Sequence, residues 1–249
     1  MMSTLLINTR PKHRGQAIRQ MTGMPVIDLP LLDIQTLPMT ETKASMMRAW
    51  LDHDYDVLVV TSVESALEYL DKLHGGHHWQ SKLPNAPIVA VGLATAKVLT
   101  DRGLPVVLLR VTNNEGMLAM TEIRSLISGS RVLIWRGAGG RKLLHETLKA
   151  RGVQIDVIRW YERFIPMDLM DNFQKNLKII NEKADVFVII SSEMAYQAWR
   201  RLPHHRQYHY LALGERLKNI IHAYEPDVMV DELVTLEPTE IYQVIHQNF

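Results

Sequence analysis

The stretch RVLIWRGAGGRKLLHETLKARGVQIDVIRWYER, residues 131–163, contains the signals of a strand, a loop, a helix and a second strand in that order. Residues 132–135 form a short apolar run without charge, which is typical of a strand buried on both faces, and we expect this strand to end at Arg136. Leucines then recur at helical spacing, and Gly152 predicts the end of the helix. Residues 153–160 return to an extended pattern. The stretch therefore predicts one strand-helix-strand unit of an α/β fold.

The loop of this unit is rich in glycine and carries two arginines. Gly137, Gly139 and Gly140 allow positive φ and close backbone approach without steric cost. Free N–H groups at the start of the next helix, together with Arg136 and Arg141, favour negative charge, so the loop could hold an anion. Glycine is also common in such turns for backbone reasons alone, and both interpretations stay open. The loop is not a P-loop, because it lacks the Gly-Lys-Ser/Thr ending, and it is a poor match to GxGxxG.

Composition and charge narrow the class of protein. The chain has 249 residues, of which 47% are hydrophobic and 22% charged, so it is long enough for two domains and has no disordered bias. A net charge of +1 gives no general attraction to nucleic acid or to an anionic membrane. The absence of cysteine removes disulfides, thiolate nucleophiles and cysteine metal sites. No segment approaches the roughly 18 apolar residues that span a bilayer, so we expect a cytoplasmic protein.

The second half of the chain repeats the first. The matched pairs are LLINTRP (5–11) with RVLIWRG (131–137), DVLVVTS (56–62) with DVFVIISS (185–192), IVAVG (88–92) with YLALG (210–214), and IDLPLLDIQTLP (27–38) with IDVIRWYERFIP (155–166). Their offset of about 120 to 130 residues indicates duplication of one α/β unit. Alternating strands and helices of this length predict parallel sheets with helices on both faces, closest to a flavodoxin-like winding. The predicted fold is α/β, with two flavodoxin-like parallel-sheet domains from an internal duplication.

These segments and a few others together resemble the uroporphyrinogen-III synthase family over essentially the whole chain. In chain order they are TRP (9–11), TS (61–62), VGLATA (91–96), NNEGML (113–118), RVLIWRGAGGRKLLHETLKARG (131–152), WYER (160–163) and ISSE (190–193). The central segment is the strongest match. The order of the matches, which is hard to obtain by chance, carries the rest of the resemblance.

The resemblance implies a discontinuous first domain. Residues 1–35 and 166–249 would form this domain, and residues 38–161 would form the second. Two antiparallel connecting strands, at 34–38 and 161–166, would join the two domains. Each connection ends in a proline, as expected where the chain leaves a sheet.

The resemblance also implies a reaction. The family cyclises the linear tetrapyrrole hydroxymethylbilane, with inversion of its last ring and loss of water, to uroporphyrinogen III, and it uses neither a metal nor an organic cofactor. This task needs a proton donor for a leaving hydroxyl, protection of an azafulvene from solvent, and a substrate fold that favours a spiro intermediate. The implied partner is this small-molecule substrate, with no nucleic acid and no membrane, and we expect a monomer.

The family's cleft tyrosine matches Tyr161, a phenol that could give a proton to the leaving hydroxyl; an ordinary interfacial tyrosine is the alternative. The positions that match substrate-binding turns are Arg10, Thr61, Ser62, Gly92, Thr95, Arg136, Gly137, Gly139, Ser191 and Ser192. Backbone N–H groups and hydroxyls at strand-end turns can hold a ligand with eight carboxylates without a large cationic patch. The same hydroxyls cap helices routinely, and arginines at strand ends are often simply solvated.

Two positions depart from the family pattern. Glu215 and Arg216 follow Gly214 where the family commonly has a threonine, which removes a hydroxyl from that turn. The segment TSVES, residues 61–65, replaces the more usual TS-Pro-Asn or TS-Pro-Arg.

Histidines fall into two groups that invite a metal interpretation. They are His74, His77 and His78, and His204, His205 and His209. Both groups lie in expected loops without carboxylate or cysteine partners at ligand spacing. We therefore expect no metal site.

Other classes of protein share parts of this pattern. A non-catalytic small-molecule or phosphate-binding protein with two flavodoxin-like domains would explain the duplication and the glycine turns equally well. A response-regulator receiver would have adjacent acids at the end of its first strand, whereas this strand ends in Asn8, Thr9 and Arg10. A flavin protein would be yellow, so a colourless preparation that converts the bilane excludes it.

Overall fold

The computed structural model describes residues 4–19, 24–67, 84–108, 114–139, 143–204 and 206–247. The chain divides into two compact units. Unit 1 comprises Met1–Ile34 and Phe164–Phe249, and unit 2 comprises Gln35–Arg163. Among the helices of the described residues, none is long and apolar enough to cross a membrane.

Strands and helices alternate along both units. The strands are β1 Thr4–Asn8, β2 Val26–Asp28, β3 Asp33–Thr36, β4 Val57–Val60, β5 Ile88–Ala90, β6 Val106–Leu108, β7 Arg131–Gly137, β8 Gln154–Phe164, β9 Asp185–Ile190, β10 His209–Leu213 and β11 Val230–Leu233. The helices are α1 Gln16–Arg19, α2 Glu41–Leu51, α3 over residues 63–67, α4 Leu93–Thr100, α5 Asn114–Ala119, α6 Thr121–Arg124, α7 Leu143–Ala150, α8 Leu169–Asn181, α9 Glu193–Trp199, α10 Glu215–Tyr224 and α11 Pro238–Gln247, with a short 3₁₀ helix at Lys12–Arg14. The predicted α/β fold with parallel sheets is confirmed.

The sheet of unit 1 has the order β11-β10-β9-β1-β2, and all its neighbouring pairs are parallel. Successive residues of its strands pack on opposite faces. Leu5 and Ile7 lie in one core cluster with Val188, and Leu6 lies in another with Phe187. A sheet that is covered on both faces explains why these strands read as continuous apolar runs rather than as alternating ones.

The sheet of unit 2 has the order β3-β8-β7-β4-β5-β6, and its pairs from β8 to β6 are parallel. At the edge, β3 lies beside β8, and the Leu37 N–H just beyond β3 donates to the carbonyl of Trp160 at 2.8 Å. Inside the unit, Trp135 of β7 makes edge-to-face contacts with Trp50 of α2 and with Trp160, at ring-centroid distances of 5.5 and 6.1 Å. These buried rings fix α2 against the middle of the sheet.

Two predicted strand ends are wrong, and both lie near the glycine turn. β7 does not end at Arg136 but runs to Gly137, and β8 does not end at Trp160 before a separate connecting strand but runs continuously to Phe164. Arg136 pairs with Arg159, and Gly137 pairs with Tyr161 across a bulge. The ladder continues because its hydrogen bonds join backbone groups, which a charged side chain does not remove. Tyr161 therefore lies inside one continuous strand rather than at the start of a separate connecting strand.

Candidate functional site

The carboxyl ends of parallel strands meet at one edge of a sheet, which is where ligands bind in open α/β folds. Each unit collects its predicted residues at that edge. In unit 2 they are Thr61 and Ser62 after β4, Gly92 and Thr95 after β5, Arg136, Gly137 and Gly139 at the end of β7, and Tyr161 on β8. In unit 1 they are Arg10 after β1 and Ser191 with Ser192 after β9, and β1 and β9 are neighbours in the sheet.

Tyr161 is buried, with 2% of its surface exposed, and its hydroxyl has a charged neighbour. The Arg163 guanidinium donates through Nη2 to Tyr161 Oη at 3.1 Å. The same guanidinium lies 5.3 Å from the centroid of the tyrosine ring, which is within the range of a cation–π contact. The phenol is thus held by one exposed arginine two residues further along β8.

Gly137 gives the tyrosine ring its space. A Cβ atom built on Gly137 would lie 2.5 Å from Tyr161 Cζ and 2.8 Å from Tyr161 Oη. The backbones are also joined, because the Ala138 N–H donates to the Tyr161 carbonyl at 2.7 Å. A side chain at this position would displace the ring, so glycine is required here by the tyrosine rather than by a positive φ.

Arg136 is half-buried and turned toward its own loop. Its Nε donates to the Gly137 carbonyl at 3.2 Å, and its Nη2 donates to the Gly139 carbonyl. Burial lowers the pKa of Arg136, and the nearby Arg159 lowers it further, while Tyr161 acts in the opposite direction. The predicted neighbours Gly140 and Arg141 lie outside the described residues. The described part of the loop thus supplies one desolvated cation beside the tyrosine.

The hydroxyls after β4 have local hydrogen-bond partners. Thr61 Oγ1 donates to the Trp135 carbonyl at 3.2 Å, which ties β4 to β7. Ser62 Oγ accepts from the Ser65 N–H at 3.2 Å and caps α3, and it also donates to Ser65 Oγ at 3.0 Å. Both hydroxyls therefore have structural roles, whether or not the turn also contacts a ligand.

The two predicted residues after β5, Gly92 and Thr95, lie in different environments. Gly92 adopts φ +87° just before α4, a backbone conformation that favours glycine. Thr95 lies in the first turn of α4 but is only 3% exposed. The structure places Gly92 at the sheet edge and Thr95 in the core beneath it.

The serines after β9 have different surroundings. Ser192 Oγ accepts from the Ala195 N–H at 3.2 Å and caps α9. Ser191 is half-buried, and its hydroxyl has no hydrogen-bond partner within the described ranges. Of the two serines, Ser191 is the one whose hydroxyl is available to a ligand.

Arg10 is the corresponding cation of unit 1. Its Nη1 donates to the Leu236 carbonyl at 3.4 Å. Burial lowers the pKa of Arg10 and Arg14 lowers it further, whereas Glu237 raises it. Arg10 therefore resembles Arg136 in being a partly desolvated cation at a strand end.

Arg163 is the functional candidate that the sequence interpretation missed. The signal was present, because residues two apart in a strand lie on the same face, and Tyr161 and Arg163 have that spacing. The interpretation divided this segment at Tyr161, between the extended residues 153–160 and a connection at 161–166, and did not follow the alternation from Tyr161 to Arg163.

The turn after β10 shows what replaces the family threonine. Gly214 has φ +81° and precedes α10, and Glu215 is exposed. Arg216 pairs with Glu193 of α9 at 3.1 Å on the surface. Such an exposed ion pair contributes little to stability, typically about 0 to 1 kcal/mol.

The two described histidines of the predicted groups, His204 and His209, have structural partners. His204 Nε2 is 2.7 Å from the Trp199 carbonyl, and His209 Nε2 is 2.7 Å from Asp231 Oδ2. No group of three or more potential metal ligands occurs among the described residues. His74, His77, His78 and His205 lie outside those residues.

Comparisons with known proteins give a consistent result. The family model described as uroporphyrinogen-III synthase HemD matches residues 16–236. The uroporphyrinogen-III synthase of Salmonella typhimurium is 28% identical over 227 residues, 86% of this chain and 89% of the relative, and that of Escherichia coli is 26% identical over 214 residues, 83% of each. A solved mutant uroporphyrinogen-III synthase from Thermus thermophilus has a TM-score of 0.66 at 16% identity and covers 99% of both chains. The Helicobacter pylori structure has a TM-score of 0.64 at 16% identity and covers 99% of this chain and 100% of its own. At these identities the structural matches show the fold.

Proposed function

The chain belongs to the uroporphyrinogen-III synthase family, an enzyme family of tetrapyrrole biosynthesis, and we propose that it cyclises hydroxymethylbilane to uroporphyrinogen III with inversion of the last ring and loss of water. The observation that carries the residue-level proposal is the phenol of Tyr161, held by Arg163 at 3.1 Å above the bare backbone of Gly137. This arrangement provides an oriented proton donor at the edge of the sheet.

Tyr161 acts in this proposal as the general acid for the leaving hydroxyl. Arg163 donates to Tyr161 Oη, so the phenol keeps its own proton for another acceptor. When that proton passes to the departing hydroxyl, the guanidinium stabilises the negative charge left on the phenol oxygen.

The substrate's eight carboxylates would be held by cations and backbone N–H groups at the strand ends. The proposed contacts are Arg10, Thr61, Ser62, Gly92, Thr95, Arg136, Gly137, Gly139, Ser191 and Ser192. Thr61 and Ser62 already use their hydroxyls within the protein, and the Thr61 N–H donates to the Trp135 carbonyl at 3.0 Å, so the turn would act through backbone N–H groups after Thr61. Buried Thr95 would support the turn after β5 from below.

We further propose that the two units are duplicated flavodoxin-like domains, divided near residues 34–38 and 161–166, and that the enzyme is a cytoplasmic monomer without a nucleic-acid partner. The matching order of five strands in the two sheets and the division at Ile34 and Arg163 support the duplication and its boundaries. The proposed chemistry requires a proton donor and charge stabilisation, and the residues named above supply both.

The test is incubation of the purified chain with enzymatically generated hydroxymethylbilane, followed by oxidation and chromatographic separation of the porphyrin isomers. We expect the type III isomer. Type I product alone, formed at the rate of the spontaneous reaction, would contradict the activity. Tight binding of the bilane without conversion would favour a non-catalytic binding protein.

A further inference from the structure

Arg163 carries a contact pattern that surface packing alone does not explain. It makes a directed hydrogen bond to Tyr161 Oη at 3.1 Å and also covers the ring, at 5.3 Å from its centroid. Within the described chain it forms no ion pair with a carboxylate. Its hydrogen bond in the described structure is therefore committed to one tyrosine.

The arginines near Tyr161 lie close to one another although their positive charges repel. Arg136 and Arg159 are register partners on β7 and β8, and like charges directly opposite each other destabilise a sheet. Neither has a carboxylate partner among the residues that the structure describes. Three arginines therefore lie near Tyr161 without a carboxylate of the described residues to neutralise them. This is expected for a site where an anionic substrate or a developing negative charge neutralises the arginines.

The chemistry of guanidinium fixes the direction of the hydrogen bond. Arginine has five N–H donors and no acceptor, and it stays protonated at all ordinary pH values. Tyr161 Oη must therefore accept from Arg163, and its own proton must point elsewhere. The tyrosine ring also occupies space that only a glycine at position 137 leaves open, since a Cβ there would lie 2.5 Å from Tyr161 Cζ. Gly137 therefore constrains the position of the ring, and Arg163 constrains the direction of the phenol proton.

From these contacts we propose that Arg163 is a positioning residue for Tyr161, which directs the phenol proton toward the substrate and holds the oxygen where the leaving hydroxyl departs. The inference rests on the proposed function and deepens it. Arg163 acts through Tyr161 and does not itself transfer the proton. Removing Arg163 should therefore slow catalysis only when the phenol is present.

A double-mutant cycle with hydroxymethylbilane as substrate tests this dependence. Arg163→Gln should lower kcat about tenfold with little change in KM, a size typical of residues in direct contact. In the Tyr161→Phe background the same change should cost less than about twofold. Arg163→Lys, which keeps the charge and can still donate, should recover part of the rate. Equal losses from Arg163→Gln in both backgrounds would overturn the proposal.

Arg159→Gln is the matched control. Arg159 is exposed on the same strand and carries the same charge, but it makes no hydrogen bond to Tyr161 in the described structure. Its removal reports the effect of one lost positive charge. A fall in kcat equal to that of Arg163→Gln would show a general charge effect and would overturn the positioning role.

A readout that does not need activity separates this inference from the proposed function. The chain has 8 tyrosines, and with 3-fluorotyrosine incorporated, the ¹⁹F resonance of Tyr161 is the one missing from the Tyr161→Phe spectrum. This resonance should move in Arg163→Gln and stay in place in Arg159→Gln. An unchanged resonance in Arg163→Gln overturns the positioning role, even if the parent converts the bilane. If the parent yields only the type I isomer, the proposed function fails, while the resonance still decides whether Arg163 holds Tyr161.

Discussion

Five strands of the two sheets have the same order, but the sheet of unit 2 has a sixth strand at one side. The order β2-β1-β9-β10-β11 of unit 1 corresponds to β8-β7-β4-β5-β6 of unit 2, where β3 lies outside β8. β2 has 3 residues and ends at Asp28, whereas β8 has 11 residues and continues to Phe164. The additional residues of β8 include Tyr161 and Arg163, so the longer strand brings a phenol and a cation to the carboxyl end of the sheet in unit 2.

The neighbouring strands, β1 beside β2 and β7 beside β8, also differ at their ends. β1 ends in Asn8, which is fully buried and donates to Asp28 Oδ1 at 2.7 Å and to the Gly15 carbonyl at 3.3 Å. β7 ends in Gly137, beside a tyrosine held by an arginine. The same strand order therefore carries different groups in the two units. In unit 1 the polar side chain at the end of β1 is bonded within the protein, whereas in unit 2 the end of β7 lies beside the phenol that we propose as the proton donor. Changes at the end of β1 should lower stability, and changes at the end of β7 should lower rate.

The largest expected effect comes from Gly137→Ala. Its Cβ would lie 2.5 Å from Tyr161 Cζ, so the ring and the hydrogen bond from Arg163 must both shift. We expect kcat to fall by about 10² to 10³, more than the loss of the hydroxyl alone, because the displaced ring misplaces the phenol and also changes the shape of the site around it. Steady-state kinetics with isomer analysis, on protein shown to be folded by circular dichroism, measures this loss.

The matched control lies in unit 1. A Cβ on Gly15 would lie 2.6 Å from Asn8 Nδ2, which is an equally close conflict with a buried amide. Gly15→Ala should cost about 1 to 3 kcal/mol of unfolding free energy in urea, because a buried polar group loses its partner, and should leave kcat unchanged. If Gly15→Ala slows catalysis as much as Gly137→Ala, the division of roles between the two strand ends is wrong.

Tyr161→Phe should have the next largest effect. General acids contribute about 10² to 10⁴ in rate, and we expect a loss near or below the lower limit. Hydroxymethylbilane also cyclises unaided, so its leaving group is not hard to expel, and water or a substrate carboxylic acid can donate instead. Ring packing is retained, so the urea midpoint should change little. Activity equal to the parent would remove Tyr161 from the mechanism and leave the shape of the site as the main catalytic factor.

The sequence predicts the buried strands of the fold but not the contact between Gly137 and Tyr161. Apolar runs predicted the buried strands, because hydrophobic periodicity is local. The contact between Gly137 and Tyr161 depends on a bulge that sets the register of β7 against β8. The alternation in WYER is local and could have suggested Arg163. Register is a property of two segments distant in the sequence, so no local pattern could show that a Cβ at position 137 would collide with Tyr161.

Alkaline pH should lower the stability of unit 1. Burial raises the pKa of Tyr208 to about 12, and its hydroxyl has no hydrogen-bond partner within the described chain. Burial also raises the pKa values of Tyr196 and Tyr210 in the same unit. Because the folded pKa of Tyr208 lies above the unfolded value of about 10, its contribution is complete below about pH 10 and is lost as the pH rises toward 12.

Tyr208→Phe measures this contribution. The urea midpoint of the parent should fall between about pH 8 and about pH 11, and that of Tyr208→Phe should fall less. At the lower pH the midpoint of Tyr208→Phe should lie at or above that of the parent, because the variant removes a buried hydroxyl that has no hydrogen-bond partner in the described structure. Identical pH dependence of parent and variant would show that this tyrosine stays protonated over the whole range or ionises freely in the folded state.

The smallest effects should come from the hydroxyls at the strand ends. Thr61→Ala and Ser192→Ala should each lower kcat/KM less than about threefold, below the effect of one net hydrogen bond to substrate. Thr61 already donates to the Trp135 carbonyl, and Ser192 caps α9, so Ser192→Ala should mainly cost about 1 kcal/mol of stability. A tenfold loss of kcat/KM in either variant, without loss of stability, would instead place that hydroxyl on the substrate.

A sharper form of this test uses Ser192→Asn and Ser192→Asp. Both side chains cap helices well, so α9 and its stability are preserved in each. They have nearly the same shape and differ by one negative charge at the sheet edge of unit 1. If this turn binds substrate carboxylates, the Asp variant should have a KM at least about fivefold above that of the Asn variant, since like charges about 4 Å apart repel by about 1 kcal/mol even in water. The difference should shrink as salt is added. Equal KM values at low salt would move the Ser192 turn away from the substrate and leave carboxylate binding to unit 2 and to Arg10.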